Sequence, residues 1–216
     1  MPPGAVLVVM ARWPAAGRCK RRLAHDLNQV LQQPGAAERA AHIQQQLTRH
    51  TLTVARRLEQ EGQLEVVLAV SGAGPTAARR WARSLGISGV RLQGSGGLGT
   101  RLRRLLMLSR SSDGPTLVIG TDLPWLNRRD LLAAIEMLQR SDLVLGPAVD
   151  GGYWLIGMSR GLMRRPALWP LSGIPWGGDQ VLASTLQQAS NRGISTMLLA
   201  EHNDLDQWAD LRPWLG

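Results

Sequence analysis

Thr116-Leu117-Val118-Ile119-Gly120-Thr121-Asp122-Leu123-Pro124 is an apolar run, too short for a helix, that stops at a glycine, delivers one carboxylate and ends at a proline. In an α/β protein this is the carboxyl edge of a buried strand, the place where ligands bind. An aspartate fixed there on an otherwise basic chain is suited to holding Mg²⁺ or Mn²⁺ against a phosphate. The plainer reading, a strand-end aspartate capping the next helix, stays open on these nine residues alone.

Outward from that stretch, strands alternate with helices. Ala5–Met10 is a continuous apolar run and reads as the first strand, preceded by Met1-Pro-Pro-Gly, which lacks the basic leader of a signal peptide. Arg12–Arg22 is a loop entering a short helix. Ala36–Glu61 is a long helix, with Ala40, Ile43, Leu47, Val54 and Leu58 at helical spacing. Leu64–Val70 is a strand, Pro75–Leu85 a helix and Val90–Gln93 a short strand; a glycine loop, Gly94–Gly99, then leads to helix Thr100–Ser109. Asn127 is placed to cap helix Arg128–Gln139. Strands Asp142–Leu145 and Tyr153–Met158, helix Gly178–Asn191, strand Thr196–Ala200 and a closing turn at Asp206–Leu211 complete the chain. The pattern predicts one domain over residues 1–216: a three-layer α/β/α fold, its central sheet mostly parallel, with an antiparallel member among the later strands.

The chain has 216 residues, 25 Lys and Arg against 16 Asp and Glu, and a net charge of +9. The basic residues are scattered rather than gathered in a tail, and Lys20 is the only lysine. Anionic small ligands fit this charge better than a nucleic acid does. The single cysteine, Cys19, excludes an internal disulfide and fits a reducing cytoplasm; no His/Asp companion motif makes it a nucleophile. No apolar run approaches a membrane span.

Four stretches carry charge or glycine in patterns that bind ligands. Pro14–Leu23 is a glycine loop followed by Arg18, Lys20, Arg21 and Arg22 at a helix start, a phosphate-binding arrangement without the Walker Gly-Lys-Ser/Thr; its alternative is a solvated basic turn. Gly94-Ser-Gly-Gly-Leu-Gly99, with Arg101 beyond, matches Gly-x-Gly-x-x-Gly literally, but mid-chain and after a weak strand, where a dinucleotide reading is poorly supported. Gly146–Gly157 contains Asp150-Gly151-Gly152-Tyr153, an acid and two glycines that let a ligand approach the backbone; a plain hairpin turn is the alternative. Asp204-Leu-Asp206 puts two carboxylates on one side of an extended segment, as paired metal ligands or as a helix cap at Asp206. Trp13, Trp125, Trp154 and Trp176 fall beside loops rather than mid-helix, placed to stack on a base or to pack in the core.

Taken in this order, the segments resemble the nucleotide-diphospho-sugar transferase superfamily with the GT-A fold. The likeness extends to a bacterial glycosyltransferase-like family of the radical-SAM/selenodomain-associated type, related to 2-phospholactate guanylyltransferases and molybdenum-cofactor nucleotidyltransferases. The resemblance implies that Gly17, Lys20 and Arg22, with Pro14, form the loop for base and phosphates, joined by Gly97, Gly99 and Arg101. It implies metal binding by Asp122, Asp204 and Asp206, and an acceptor-side turn of Asp150, Gly151, Gly152 and Tyr153. Arg21, Gly97, Gly178 and Gln207 stand where the family usually has Thr, Asp, Thr or Ser, and Thr.

The expectation is a cytoplasmic transferase using Mg²⁺ or Mn²⁺, with Lys20, Arg22 and Asp150 as catalytic residues. It would move a glycosyl group from a nucleotide sugar to a small-molecule acceptor. The alternative is nucleotidyl transfer from an NTP to a small phosphorylated acceptor, with release of pyrophosphate. A non-catalytic nucleotide or RNA binder is the rival of another class.

Overall fold

Every residue of Ala5–Val9 is buried, on both sides of the strand, which requires a sheet covered by helices on each face. The computed structural model describes residues 4–32, 34–110 and 113–214, so the opening Met1-Pro-Pro lies outside the described residues. The elements are β1 (Ala5–Arg12), α1 (Arg21–Leu31), α2 (Ala36–Gln60), β2 (Leu64–Ser71), α3 (Pro75–Ser84), β3 (Gly89–Leu92) and α4 (Leu98–Leu108). They continue with β4 (Thr116–Ile119), α5 (Arg128–Met137), β5 (Leu143–Pro147), β6 (Tyr153–Met158), α6 (Arg160–Met163), α7 (Val181–Asn191), β7 (Thr196–Leu198) and a 3₁₀ helix (Trp208–Trp214).

The seven strands form one sheet in the order β3-β2-β1-β4-β6-β5-β7. Leu7 and Val9 point into a core layer with Leu52, Ala55 and Leu58 of α2, Trp81 of α3 and Leu131 of α5. Their neighbours Val6 and Val8 point the other way, to Leu102, Leu105 and Leu106 of α4, Leu162 of α6 and Ala189 of α7. The period-two alternation of one strand therefore feeds both cores, and three layers follow. A third cluster, Leu23, Leu27, Ala40, Leu47 and Leu205, fastens α1 and the C-terminal segment to the first half of α2.

The antiparallel member is β6, which pairs antiparallel with both β4 and β5; β7 runs parallel to β5. The loop 148–152 is too short for a crossover, so β5 and β6 must form a hairpin. The plain hairpin reading of Asp150-Gly151 therefore holds for the backbone, with Ala148 N–H bonded to Gly152 O at 3.1 Å.

The chain leaves β1 toward β2 and β3, then returns to lay β4 on the other side of β1. The crevice beyond the carboxyl ends of β1 and β4 is thus a topological switch point. Ile119 at the end of β4 is in register with Val9 of β1 and with Leu155 of β6. Because β6 is reversed, its first residue, Tyr153, arrives at this same edge.

Two helix starts differ from expectation. α4 begins at Leu98 rather than Thr100, because extended Gly97 serves as its N-cap residue. α7 begins at Val181 rather than Gly178: Gly178 N–H closes a turn on Pro175 O at 3.2 Å, and the helical bonds start from Gln180 O, which accepts from Ser184 N–H at 2.9 Å. Asn127 caps α5 as read, accepting from Arg129 N–H while Asp130 returns a bond to Asn127 N–H.

Candidate active site

A cavity of about 580 Å³ opens at the switch point, and Lys20, Arg22, Arg101, Asp122, Asp150, Gly152, Tyr153, Asp204 and Asp206 all line it. These residues span 187 positions of sequence from Lys20 to Asp206, counting both ends. The sheet edge brings them together: β1 ends into the Lys20 loop, β4 into Asp122, and the β5–β6 hairpin into Asp150 and Tyr153.

Lys20 takes a left-handed conformation (φ 47°, ψ 46°) as the residue entering α1. That turn carries its side chain inward until it is only 1% exposed, and its ammonium lies 2.8 Å from Asp122 Oδ1 and 3.6 Å from Asp206 Oδ1. It also donates to the carbonyl of Leu205. Asp122 is further fixed by Gln44 of α2, whose Nε2 donates to Thr121 Oγ1 at 3.0 Å and to Asp122 Oδ1 at 3.4 Å. The Asp122 backbone carbonyl accepts from Leu205 N–H at 2.8 Å. The N-terminal loop, the end of β4 and the C-terminal segment are therefore tied at one point.

Asp206 has two readings in the sequence, helix cap or site acid. Its side chain faces Lys20 and, at 3.4 Å, Arg22 Nη1. The acid that accepts from the backbone here is Asp210, bonded to Asp206 N–H at 2.9 Å and Gln207 N–H at 2.7 Å. Trp208 N–H is taken by Asp26. The Asp206 carboxylate is left for the cavity.

Asp204 has its pKa pushed up to about 6, first by burial and then by the carboxylates of Asp150, Asp122 and Asp206, with Lys20 acting in the opposite direction. Asp204 thus feels three other carboxylates across the cavity. Their donor set is entirely oxygen, which fits a hard cation such as Mg²⁺ or Mn²⁺. Among the described residues, no three acids, histidines or cysteines stand preformed as a metal cage. Mg²⁺ tolerates this, since it is commonly bound by one or two carboxylates and completed by substrate phosphates and water.

The raised pKa has a stability consequence. Asp204 binds its proton more tightly folded than unfolded. Its contribution is therefore present below the ordinary carboxylate range and is lost as pH rises through about 6. Asp204→Asn should raise the melting temperature of the metal-free protein at pH 8 by about 2–4 °C, the equivalent of about 1 kcal/mol after solvent screening. The gain should vanish near pH 4. A thermal-melt series across pH checks both, and an equal gain at pH 4 and pH 8 would contradict the assigned repulsion.

The opposite wall is organised by Gln93, which is 3% exposed just beyond β3. Its amide NH₂ donates to Ala11 O at 3.2 Å and Ala69 O at 2.9 Å, and its carbonyl accepts from Arg101 Nη1 at 3.2 Å. It holds Arg101 against the ends of β1 and β2. Trp176 stacks edge-on to Tyr153, with ring centroids 6.2 Å apart, and sits directly on Gly99, where a methyl group would overlap its indole.

Asp150 Oδ1 accepts from Gly152 N–H at 2.9 Å, which fixes the carboxylate; its other oxygen has no hydrogen bond among the described residues. The Tyr153 hydroxyl is buried, and burial raises its pKa well above the ordinary tyrosine value.

Several expected site residues do not line the cavity. Gly17 is exposed with φ 70° and Pro14 lies in the same outer turn, so the loop contributes its cations rather than its glycine. Gly97 caps α4 and Gly99 seats Trp176, so both shape the wall without forming it. Gly151 lies behind the hairpin, against the Asp179 backbone. The Gly94–Gly99 turn binds Arg104, which donates to Ser95 O, and follows edge strand β3; this context is not that of a dinucleotide fingerprint.

Cys19 is buried and its thiol faces Ala15 O, with its pKa raised chiefly by burial, the opposite of an activated nucleophile. Of the four loop tryptophans, Trp154 and Trp176 line the cavity. Trp13 packs against Trp81 and Trp125 is half exposed. Gln44 and Gln93 escaped sequence reasoning. The only available signal was a glutamine on the core-facing stripe of α2 and another at the end of a strand.

A family model described as "Uncharacterized protein conserved in bacteria (DUF2064)" matches residues 53–178. That span holds Asp122 and Asp150 but neither the Lys20 loop nor the terminal acids. No curated protein matches the sequence.

Among solved structures, the chain is similar to a Desulfovibrio desulfuricans G20 protein provisionally named a nucleotide-diphospho-sugar transferase. The TM-score is 0.79 at 22% identity, over 97% of this chain and 85% of that one. It is also similar to 4-diphosphocytidyl-2C-methyl-D-erythritol synthase from Anaerococcus prevotii DSM 20548, with TM-score 0.62 at 11% identity over 98% and 96% of the two chains. A third is Rv0371c from Mycobacterium tuberculosis H37Rv, solved with manganese, with TM-score 0.53 at 21% identity over 98% of each chain. At these identities the likeness shows the fold alone: a mostly parallel α/β sheet covered by helices, shared with these structures.

Proposed function

The chain belongs to the DUF2064 family of bacterial proteins, and from that premise we propose that it is a metal-dependent transferase. It moves a glycosyl group from a nucleotide sugar to a small-molecule acceptor. One observation carries the reading: four carboxylates, Asp122, Asp150, Asp204 and Asp206, share with Lys20 and Arg22 a cavity of about 580 Å³ at the topological switch point. The volume lies in the range of small-molecule sites, and mixed charge of this kind suits a metal–polyphosphate better than an apolar ligand.

In this reading Asp122, Asp204 and Asp206 hold Mg²⁺ or Mn²⁺, and the ion supplies charge neutralisation for the diphosphate leaving group. Arg22, 75% exposed at its side chain, reaches over the cavity mouth to the outer phosphate. Arg101, braced by Gln93, binds the nucleotide from the far wall. Asp150, oriented by Gly152 N–H, accepts the proton of the acceptor hydroxyl as that oxygen bonds to the sugar C1. The C1–phosphate bond breaks with its electron pair going to the departing nucleoside diphosphate.

A second reading, nucleotidyl transfer, is favoured by the fold likeness to the Anaerococcus prevotii synthase. There the acceptor phosphate attacks the α-phosphorus of an NTP and pyrophosphate leaves. Product analysis separates the two. Nucleoside diphosphate released from a nucleotide sugar supports glycosyl transfer, and pyrophosphate released from an NTP supports the second. Neither product, together with RNA binding that falls steeply with salt, would replace both by the binder.

A further inference from the structure

The Lys20 ammonium faces three oxygens: it donates to Leu205 O, lies 2.8 Å from Asp122 Oδ1 and pairs at 3.6 Å with Asp206 Oδ1. We propose that Lys20 is the resident counter-cation of the Asp122–Asp206 pair, and that its ammonium must leave them for a divalent ion to seat. This rests on the reading of Asp122 and Asp206 as metal ligands and makes Lys20 the residue that gates access to them.

Three observations carry it. The side chain is 1% exposed, so the ammonium is not idling at the surface but is committed to these oxygens. The shorter contact uses Asp122 Oδ1, to which Gln44 Nε2 also donates, so this oxygen faces both a cation and an amide donor. A cation entering between Asp122 and Asp206 would meet a positive charge already 2.8 Å from one and 3.6 Å from the other. Two cations held by the same pair of carboxylates repel strongly in a partly desolvated site.

Lys20 is one of two non-glycine residues at positive φ among the described residues, and backbone strain of that kind clusters at clamp and switch positions. The freed ammonium then has a natural new partner in the polyphosphate that accompanies the metal. The same amine thus neutralises the acids in the free protein and the phosphate in the complex. Metal alone binds weakly on this account, because the displaced ammonium has no replacement acceptor.

The sole lysine makes the idea directly measurable. The probe is Mn²⁺ alone, followed by the electron paramagnetic resonance of the free ion, on the wild type, Lys20→Gln and Asp122→Asn. Lys20→Gln should bind Mn²⁺ about 10-fold tighter than wild type, a coupling of ordinary size. A Lys20→Gln affinity equal to or weaker than wild type overturns the proposal.

In parallel, an amine-acylating reagent at fixed pH reports on the peptide carrying Lys20 by mass spectrometry. Labelling should be slow in the free wild type and rise about 10-fold at saturating Mn²⁺. Lys20 that stays protected at saturation refutes the exchange, and this arm decides the matter if Lys20→Gln does not fold. If Asp122→Asn binds Mn²⁺ as wild type does, the metal reading of Asp122 fails first, and the proposal falls with it.

Discussion

Asp122→Asn leaves the protein folded and lowers turnover about 10³-fold or more. The carboxylate sits at the end of a strand whose four residues, Thr116–Ile119, are all buried, so its place is set by the sheet and not by its own charge. Asparagine fills the same volume. It keeps an oxygen for the Gln44 amide, and the Leu205 N–H to residue 122 carbonyl bond is untouched. What disappears is the negative charge that offsets Lys20 and serves the metal. The stability loss stays modest, about 1–2 kcal/mol, because Asp122 is 40% exposed and Lys20 retains Asp206 and Leu205 O. Circular dichroism and a thermal melt check the fold, and steady-state assay with the donor found by product analysis checks the rate. Wild-type turnover in this variant would remove Asp122 from the chemistry.

Gly151→Ala has the largest expected effect on the fold itself. Gly151 has φ +83°, and a methyl group there would overlap the backbone carbonyl of Asp179, which cannot swing aside as a side chain can. Its own carbonyl accepts from Leu182 N–H at 2.9 Å in the first turn of α7. The glycine therefore lets the β5–β6 hairpin and the start of α7 touch. Left-handed strain and the backbone clash together should cost about 3 kcal/mol. For a chain of this length that lowers the melting temperature by about 6–12 °C. The Gly178–Asp179 segment must move, carrying the Asp150 and Trp176 walls with it. Activity should fall even at temperatures where the variant remains folded. An unchanged melting temperature would show that the contact is slack.

The sequence made the layered α/β fold legible because its signals are local and redundant. β1, β2, β4 and β5 are short apolar runs between glycines and polar turns, and a strand buried on both faces has few other ways to read. Asn127 announced α5 by a cap whose partner, Asp130, is three residues away. The starts of α4 and α7 were harder. Gly97 and Gly178 look like ordinary loop glycines in sequence, but one caps a helix from extended space and the other closes a turn ahead of one.

The site was legible as a set of acids and cations in the order of a known family. Its internal wiring was not. Whether Asp206 caps a helix or faces a cavity depends on Asp210 and Asp26 taking the backbone donors, a contest among three acids that spacing does not decide. Gln44 lies 78 positions from Asp122, and Gln93 reaches carbonyls of two different strands. Neither carries a pattern, because a single buried amide works by where the fold puts it. The loop around Lys20 reads as a phosphate site, whereas in the fold its ammonium faces Asp122, Asp206 and the Leu205 carbonyl.

The central claim is that one cavity gathers these acids and cations around a metal–polyphosphate. Crystals grown with Mn²⁺ and a nucleoside diphosphate, with data collected at the manganese absorption edge, test it most directly. The account predicts an anomalous peak coordinated by the Asp122 carboxylate and by phosphate oxygens, with Arg22 on the same phosphates and Lys20 turned away from Asp206. A manganese peak and nucleotide elsewhere on the molecule, with Lys20 still seated between Asp122 and Asp206, would contradict it.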